Sequence, residues 1–190
     1  MNQVLYLVRH CQSIGQELNA PLTETGQQQA ISLADWLSQM QIQRIISSPF
    51  ARAYQSILPL SERLGLTIEV DERLIERVLS PVPLDNWRKR LAETFVNLDL
   101  SFEAGESSRT AMMRGIAVVN QARQQTTDPV VIVTHGNLMT LILKHFNSQV
   151  GYAEWEKLQN PDLYCVTFSR ERTFVKQMIA FKQQVYRNLL

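Results

Sequence analysis

Two of the three histidines in this 190-residue chain stand at the ends of apolar runs. Leu5-Tyr6-Leu7-Val8 leads into Arg9-His10, and Val130-Val131-Ile132-Val133-Thr134 leads into His135-Gly136. An imidazole at such a position offers a nucleophile or a proton carrier near neutral pH. A guanidinium beside it offers a planar fork of donors suited to an oxyanion. A third cation, Arg52, follows a further short apolar run in Ser47-Ser48-Pro49-Phe50-Ala51-Arg52. Ser48 reads there as a helix N-cap and Pro49 as a residue of the first turn, where its missing N–H costs nothing. A cation in a first turn opposes the helix dipole, so free N–H groups together with a misplaced Arg52 point to an expected anion.

The elements that must position these groups follow from periodicity. β-rich runs fall at residues 4–8, 44–47, 67–70 and 130–134, and longer segments between them have helical spacing. Ala30, Leu33, Leu37 and Met40 share one helical face, as do Ala53, Ile57, Leu60 and Leu64, with Pro59 expected to kink the second helix. Met112, Ile116, Val119 and Arg123 continue the pattern. Thr25 with Gln28 fits a capping box, and Thr23 is an alternative cap. Strands alternating with helices predict an α/β fold, a three-layer α/β/α sandwich with a mostly parallel central sheet. The runs at 163–169 and 173–181 predict an antiparallel hairpin at one sheet edge. Ligands of such sheets bind beyond the carboxyl ends of the strands, so neighbouring strands ending at His10 and His135 would share one crevice.

The rest of the composition narrows the classes. Lys and Arg number 19 against 18 Asp and Glu, a net charge of +1 that gives no electrostatic reason to expect nucleic acid or an anionic membrane surface. No apolar run approaches a membrane span, and the first residues lack the basic lead-in of a signal peptide. Cys11 and Cys165 show no paired spacing, and three histidines without HxH or HExxH spacing make a poor metal site. The expectation is one cytoplasmic domain over residues 1–190, with no cofactor and no metal.

Leu7-Val8-Arg9-His10-Cys11-Gln12-Ser13, Pro21-Leu22-Thr23-Glu24-Thr25-Gly26, Ser47-Ser48-Pro49-Phe50-Ala51-Arg52-Ala53, Leu74-Ile75-Glu76 and Val133-Thr134-His135-Gly136 stand in the order and approximate spacing of the histidine phosphatase superfamily, the phosphoglycerate-mutase-like proteins. The resemblance spans residues 5 to about 140. It implies a metal-independent phosphomonoesterase in which His10 attacks phosphorus and becomes phosphohistidine. Arg9, Arg52 and His135 would clamp the phosphate, with Ser13, Gln16 and Gly136 in further phosphate contacts. Glu76 matches the family's proton donor, although Glu72, Arg73, Glu76 and Arg77 also read as a solvated charged face. Glu106 matches a family motif as a structural residue. A small-molecule phosphate ester is the implied partner, and oligomeric state is left open.

The chain departs from the family pattern in three places. Cys11 replaces the glycine after the nucleophile, where glycine permits unusual backbone angles. Gln16 stands where asparagine is frequent. A proline loop, residues 80–87, replaces the aromatic-Glu-Gly segment. Residues 80–105 are expected to cover the substrate, and they include Trp87-Arg88-Lys89-Arg90, cations that point in different directions on a helix. Two alternatives accompany the phosphatase: a phosphoglycerate-type mutase, and a weakly active relative that binds phosphorylated ligands, suggested by Cys11 and Gln16.

Overall fold

The structure is a computed structural model and describes residues 2–179 and 181. Six strands form one sheet in the order β3-β2-β4-β1-β5-β6. They are β1 Gln3–Arg9, β2 Arg44–Ser47, β3 Ile68–Val70, β4 Val130–Thr134, β5 Asp162–Phe168 and β6 Thr173–Gln177. The first four run parallel, and β5 pairs antiparallel with both β1 and β6. The mostly parallel sheet with an antiparallel edge is therefore present, and the hairpin closes after Gln177, short of the run expected to reach 181.

Helices cover both faces: α1 Glu24–Leu37, α2 Ala51–Leu64, α3 Trp87–Val96, α4 Ser108–Gln125, α5 Gly136–Phe146 and the short α6 Tyr152–Glu156. Alternation along the strands decides which helices each side chain meets. Tyr6, Val8, Ile45, Val131 and Val133 pack with Leu33 and Leu37 of α1 and Ile57 and Leu60 of α2. Leu5, Leu7, Ile46, Val130 and Ile132 pack on the other face with Phe95, Ile116, Val119, Leu138 and Ile142 from α3, α4 and α5. All of β4 is buried, as a strand covered on both faces must be.

Local expectations were adjusted in three places. Helix α1 stops at Leu37, and Met40 ends a following 3-10 turn, so the fourth apolar position lies outside the α-helix. Thr23 is the N-cap of α1, its hydroxyl accepting from the Gly26 N–H at 2.9 Å. Gly26 is required there, because a Cβ would lie 2.0 Å from the Gln12 carbonyl oxygen. That close approach pins the loop after His10 onto the start of α1. Helix α2 runs through Pro59 but starts at Ala51, after Phe50, so Ser48 does not cap it.

Candidate active site

Three strand ends meet side by side. Register pairs Arg9 with Thr134 across β1 and β4, and the His10 N–H donates to the Thr134 carbonyl at 3.0 Å. On the other side of β4 the Ser48 N–H donates to the Val133 carbonyl, also at 3.0 Å. The central strand thus aligns its neighbours through backbone bonds. His10 and His135 stand with ring centroids 5.1 Å apart and planes at 63°. They are 4% and 0% exposed.

His10 has a defined tautomer. Its Nδ1 lies 2.7 Å from the Cys11 carbonyl oxygen, an acceptor, so Nδ1 carries the proton and Nε2 the lone pair. Into that lone pair Arg52 donates from Nε at 3.1 Å. Burial pushes the His10 imidazolium down to about 3; the Cys11 carbonyl works against this, while the charges of Arg52 and Arg9 add to it. The ring is therefore neutral at physiological pH, as a nitrogen nucleophile must be.

Arg52 is 1% exposed, and the loop after His10 holds it. Its Nη1 donates to the carbonyls of Gln16 and Glu17 at 2.9 and 3.0 Å, and its guanidinium lies 4.6 Å from the Phe50 ring centroid. The Ala51 N–H donates to the Leu18 carbonyl, so this loop, rather than Ser48, caps α2. Ser48 has a different task. Its Oγ lies 2.8 Å from Nε2 of His135, and the Phe50 ring packs edge-on against the imidazole, with centroids 4.9 Å apart. Ser48 Oγ also takes the Phe50 N–H at 3.4 Å. His135 Nδ1 is buried and has no hydrogen-bond partner among the described residues. Burial first, then the charges of His10 and three arginines, holds the His135 imidazolium well below its ordinary range.

Arg9 and Gly136, the chain neighbours of the two histidines, line a cleft of about 450 Å³ whose walls also include Gln16, Glu76, Arg77 and Asn137. Gly136 lies flat against Arg9, where a Cβ would stand 3.2 Å from Nε and 3.3 Å from Cζ. Any larger residue would push that guanidinium aside. Glu76 lines the cleft, and three backbone N–H groups hold its carboxylate: Oε1 accepts those of Leu138 and Arg77 at 3.0 and 2.9 Å, while Oε2 accepts that of Asn137 at 2.9 Å and keeps one lone pair for the cleft. It caps the N-terminus of α5, a tertiary cap that no local sequence pattern encodes. Of the remaining expected contacts, Gln16 lines the cleft while its backbone carbonyl receives Arg52. The Ser13 hydroxyl instead donates to the Gly15 carbonyl at 2.9 Å and shapes the loop.

The family model for the histidine phosphatase superfamily, branch 1, matches residues 5–180. The chain belongs to that superfamily. The uncharacterized phosphatase PhoE of Bacillus subtilis is 27% identical over 173 residues, 90% of this chain and 86% of its own length. A relative of Shigella dysenteriae named "Probable phosphoglycerate mutase GpmB" is 30% identical over 169 residues, 79% of this chain and 77% of its own length. Glucosyl-3-phosphoglycerate phosphatase of Mycobacterium tuberculosis reaches 42% over 60 residues, a match that spans 32% of this chain and only 27% of that relative. The solved complex of the mycobacterial enzyme of that name with inorganic phosphate superposes with a TM-score of 0.74 at 26% identity, covering 92% of this chain and 95% of that one.

Within this member of the superfamily, the departures from the family pattern have physical readings. Cys11 does not have a positive φ, so the backbone that usually favours glycine is ordinary here. Its thiol is fully buried among Val8, Ala53 and Ile57, and burial pushes it up to about 12, which makes it a poor thiolate. The Cys11 N–H is held by Ser56 Oγ at 2.8 Å. Glu106 is structural, its carboxylate pairing with Arg114 at 2.7 and 2.8 Å. Arg88, Lys89 and Arg90 lie on the exposed side of α3.

Three contributors escaped the sequence reading. Ser48 looked like a helix cap, and Phe50 carried no signal at all. Asn160, joined to Pro161 by a cis peptide, donates from Nδ2 to the His10 carbonyl at 2.7 Å. Its only mark in the sequence is the Asn160-Pro161-Asp162 step just ahead of the first hairpin run.

Proposed function

We propose that this chain hydrolyses phosphate monoesters through a phosphohistidine on His10, without a metal ion. One observation carries the reading: the lone pair of a buried, neutral His10 points at Arg52, its ring stands 5.1 Å from that of His135, and the preceding residue, Arg9, lines the cleft. A phosphate ester repels nucleophiles by its own charge, so catalysis rests on positive charge and alignment. An entering phosphate is a better acceptor than an imidazole, so Arg52 Nε exchanges His10 for a phosphate oxygen and frees Nε2 for in-line attack. Arg9 and His135 complete the cradle. The P–O bond to the leaving group breaks as the N–P bond forms, and water then attacks the phosphoenzyme to release phosphate and restore His10.

Glu76 is the one carboxyl among the residues that line the cleft, and we assign it the proton for the leaving oxygen and the acceptance of one from the incoming water. The residues 80–105 supply the cleft's outer wall through Trp87 and Leu91. The test is turnover of phenyl phosphate in the presence of EDTA, with acid-labile phosphate trapped on the protein. Activity with chelator that disappears in His10→Ala supports the proposal. Turnover that survives in His10→Ala overturns it. Labelling of His10 without phosphate release favours the mutase, which the GpmB resemblance keeps as a second reading, and interconversion of phosphoglycerates would then establish it.

A further inference from the structure

Past Arg9, Glu76 and Arg77, the charged residues that line it, the cleft changes character. Its outer wall is Leu79, Trp87, Leu91 and Trp155. A second hollow of about 280 Å³ shares Leu79 and Trp87 with it and continues over Val82, Pro83 and Leu84 of the proline loop. Trp87 is 47% exposed and Val82 45%, an apolar outlay on the surface that the core does not use. Nor is Trp87 a loose side chain. Its ring meets Trp155 edge to face, with centroids 6.0 Å apart at 88°, and Trp155 stacks on Tyr152 at 5.4 Å and 29°. Asn86 turns the chain through a left-handed conformation, φ 54, so that Trp87 opens α3 at the mouth of the cleft. The cations that follow it in sequence do not line the cleft; Arg88 lies over the Trp87 ring, 5.4 Å from its centroid.

With phosphate held at His10, the ester oxygen has to leave along this cleft, and the leaving group then rests on those walls. We propose that the site selects phosphate monoesters whose leaving group is a planar, apolar ring system seated on Trp87 and Trp155, in preference to short charged esters. This rests on the phosphomonoester reading above and names its substrate class. A single ring fits the cleft at Trp155 and Leu91, and a fused second ring extends past Trp87 toward the proline loop. The four added ring carbons bury enough apolar surface for about a tenfold gain in affinity.

Binding and turnover are measured separately, so that the two readings fail separately. Calorimetric titration compares 2-naphthylmethylphosphonate with methylphosphonate, neither of which is hydrolysed. The unmodified protein is expected to bind the naphthyl compound at least about tenfold more tightly. Trp87→Ala is expected to weaken naphthyl binding by about tenfold while moving the methylphosphonate Kd less than about twofold, and Trp87→Phe to restore part of it. Phenyl and 2-naphthyl phosphate, whose phenols have similar acidity, are then compared by kcat/KM, with 3-phosphoglycerate as the charged comparator. Equal binding of the two phosphonates, equal weakening of both in Trp87→Ala, or preference for 3-phosphoglycerate overturns the ring subsite. Selective naphthyl binding without any hydrolysis refutes the phosphatase and leaves the subsite standing. The exposed position of Trp87 keeps the variant folded, which circular dichroism checks.

Discussion

Replacing Glu76 by Gln separates two roles that the structure places on one carboxylate. As a cap, Glu76 takes three N–H bonds, two on Oε1 and one on Oε2. Gln retains an acceptor for the Arg77 and Leu138 N–H groups but turns an NH2 toward that of Asn137. One charge-assisted bond is lost and a donor is left facing a donor, at a cost of about 1.5–3 kcal/mol. Loss of the negative charge at the α5 N-terminus adds about 0.5 kcal/mol. With an m value of about 2 kcal/mol per molar urea, the unfolding midpoint should fall by roughly 1–1.8 M. As a proton donor, Glu76 matters in proportion to the basicity of the leaving oxygen. Phenyl phosphate turnover by Glu76→Gln should drop by about 100-fold or more, and turnover of 2,4-dinitrophenyl phosphate, whose phenolate departs unprotonated, by less than about tenfold. Equal losses on both esters would remove Glu76 from the chemistry and leave it as a cap alone. An unchanged urea midpoint would refute the capping account.

Other expectations follow from the same contacts. Arg52→Lys keeps the charge but lacks the fork that reaches His10 and the Gln16 and Glu17 carbonyls together, so kcat should fall by about 100- to 1,000-fold in steady-state assays. Ser48→Ala removes the hydroxyl bonded to His135 Nε2 and should lower kcat/KM by about tenfold, with Ser48→Thr recovering most of it; an unchanged rate in the alanine variant would sink the orienting role. Stability should decline as the pH drops from 6.5 toward 4.5. The unfolded chain gains a proton on His10 near its ordinary value of 6.5, which the folded site refuses until about 3, so the unfolded state binds more protons across that window. His10 alone accounts for on the order of 3 kcal/mol at pH 4.5, and His135 acts in the same direction. Urea midpoints at pH 6.5, 5.5 and 4.5 measure this, and a His10→Gln variant should show a shallower slope; a flat profile for the unmodified protein would contradict the burial argument.

Much of this molecule was written in local sequence. Strand periodicity, the apolar faces of α1 and α2 and the two histidines at strand ends are short-range patterns, and they were enough to place His10 and His135 in one crevice. Arg9 and Arg52 already stood out as cations beside strand ends; the family resemblance gave them a shared phosphate to hold and added Glu76, whose neighbourhood says little by itself. What no local pattern carried is who holds whom. Ser48 sits where a helix cap would, yet its hydroxyl turns to His135, because a loop carbonyl from Leu18 already takes the Ala51 N–H. Glu76 reads as one charge in a mixed run, and only the packing of α5 against residues 74–77 makes it a cap. Asn160 reaches His10 across 150 positions of chain. Side-chain periodicity is imposed by each element on itself and survives in sequence; hydrogen-bond partners are chosen by proximity, which exists only after the sheet has set β1, β2 and β4 side by side.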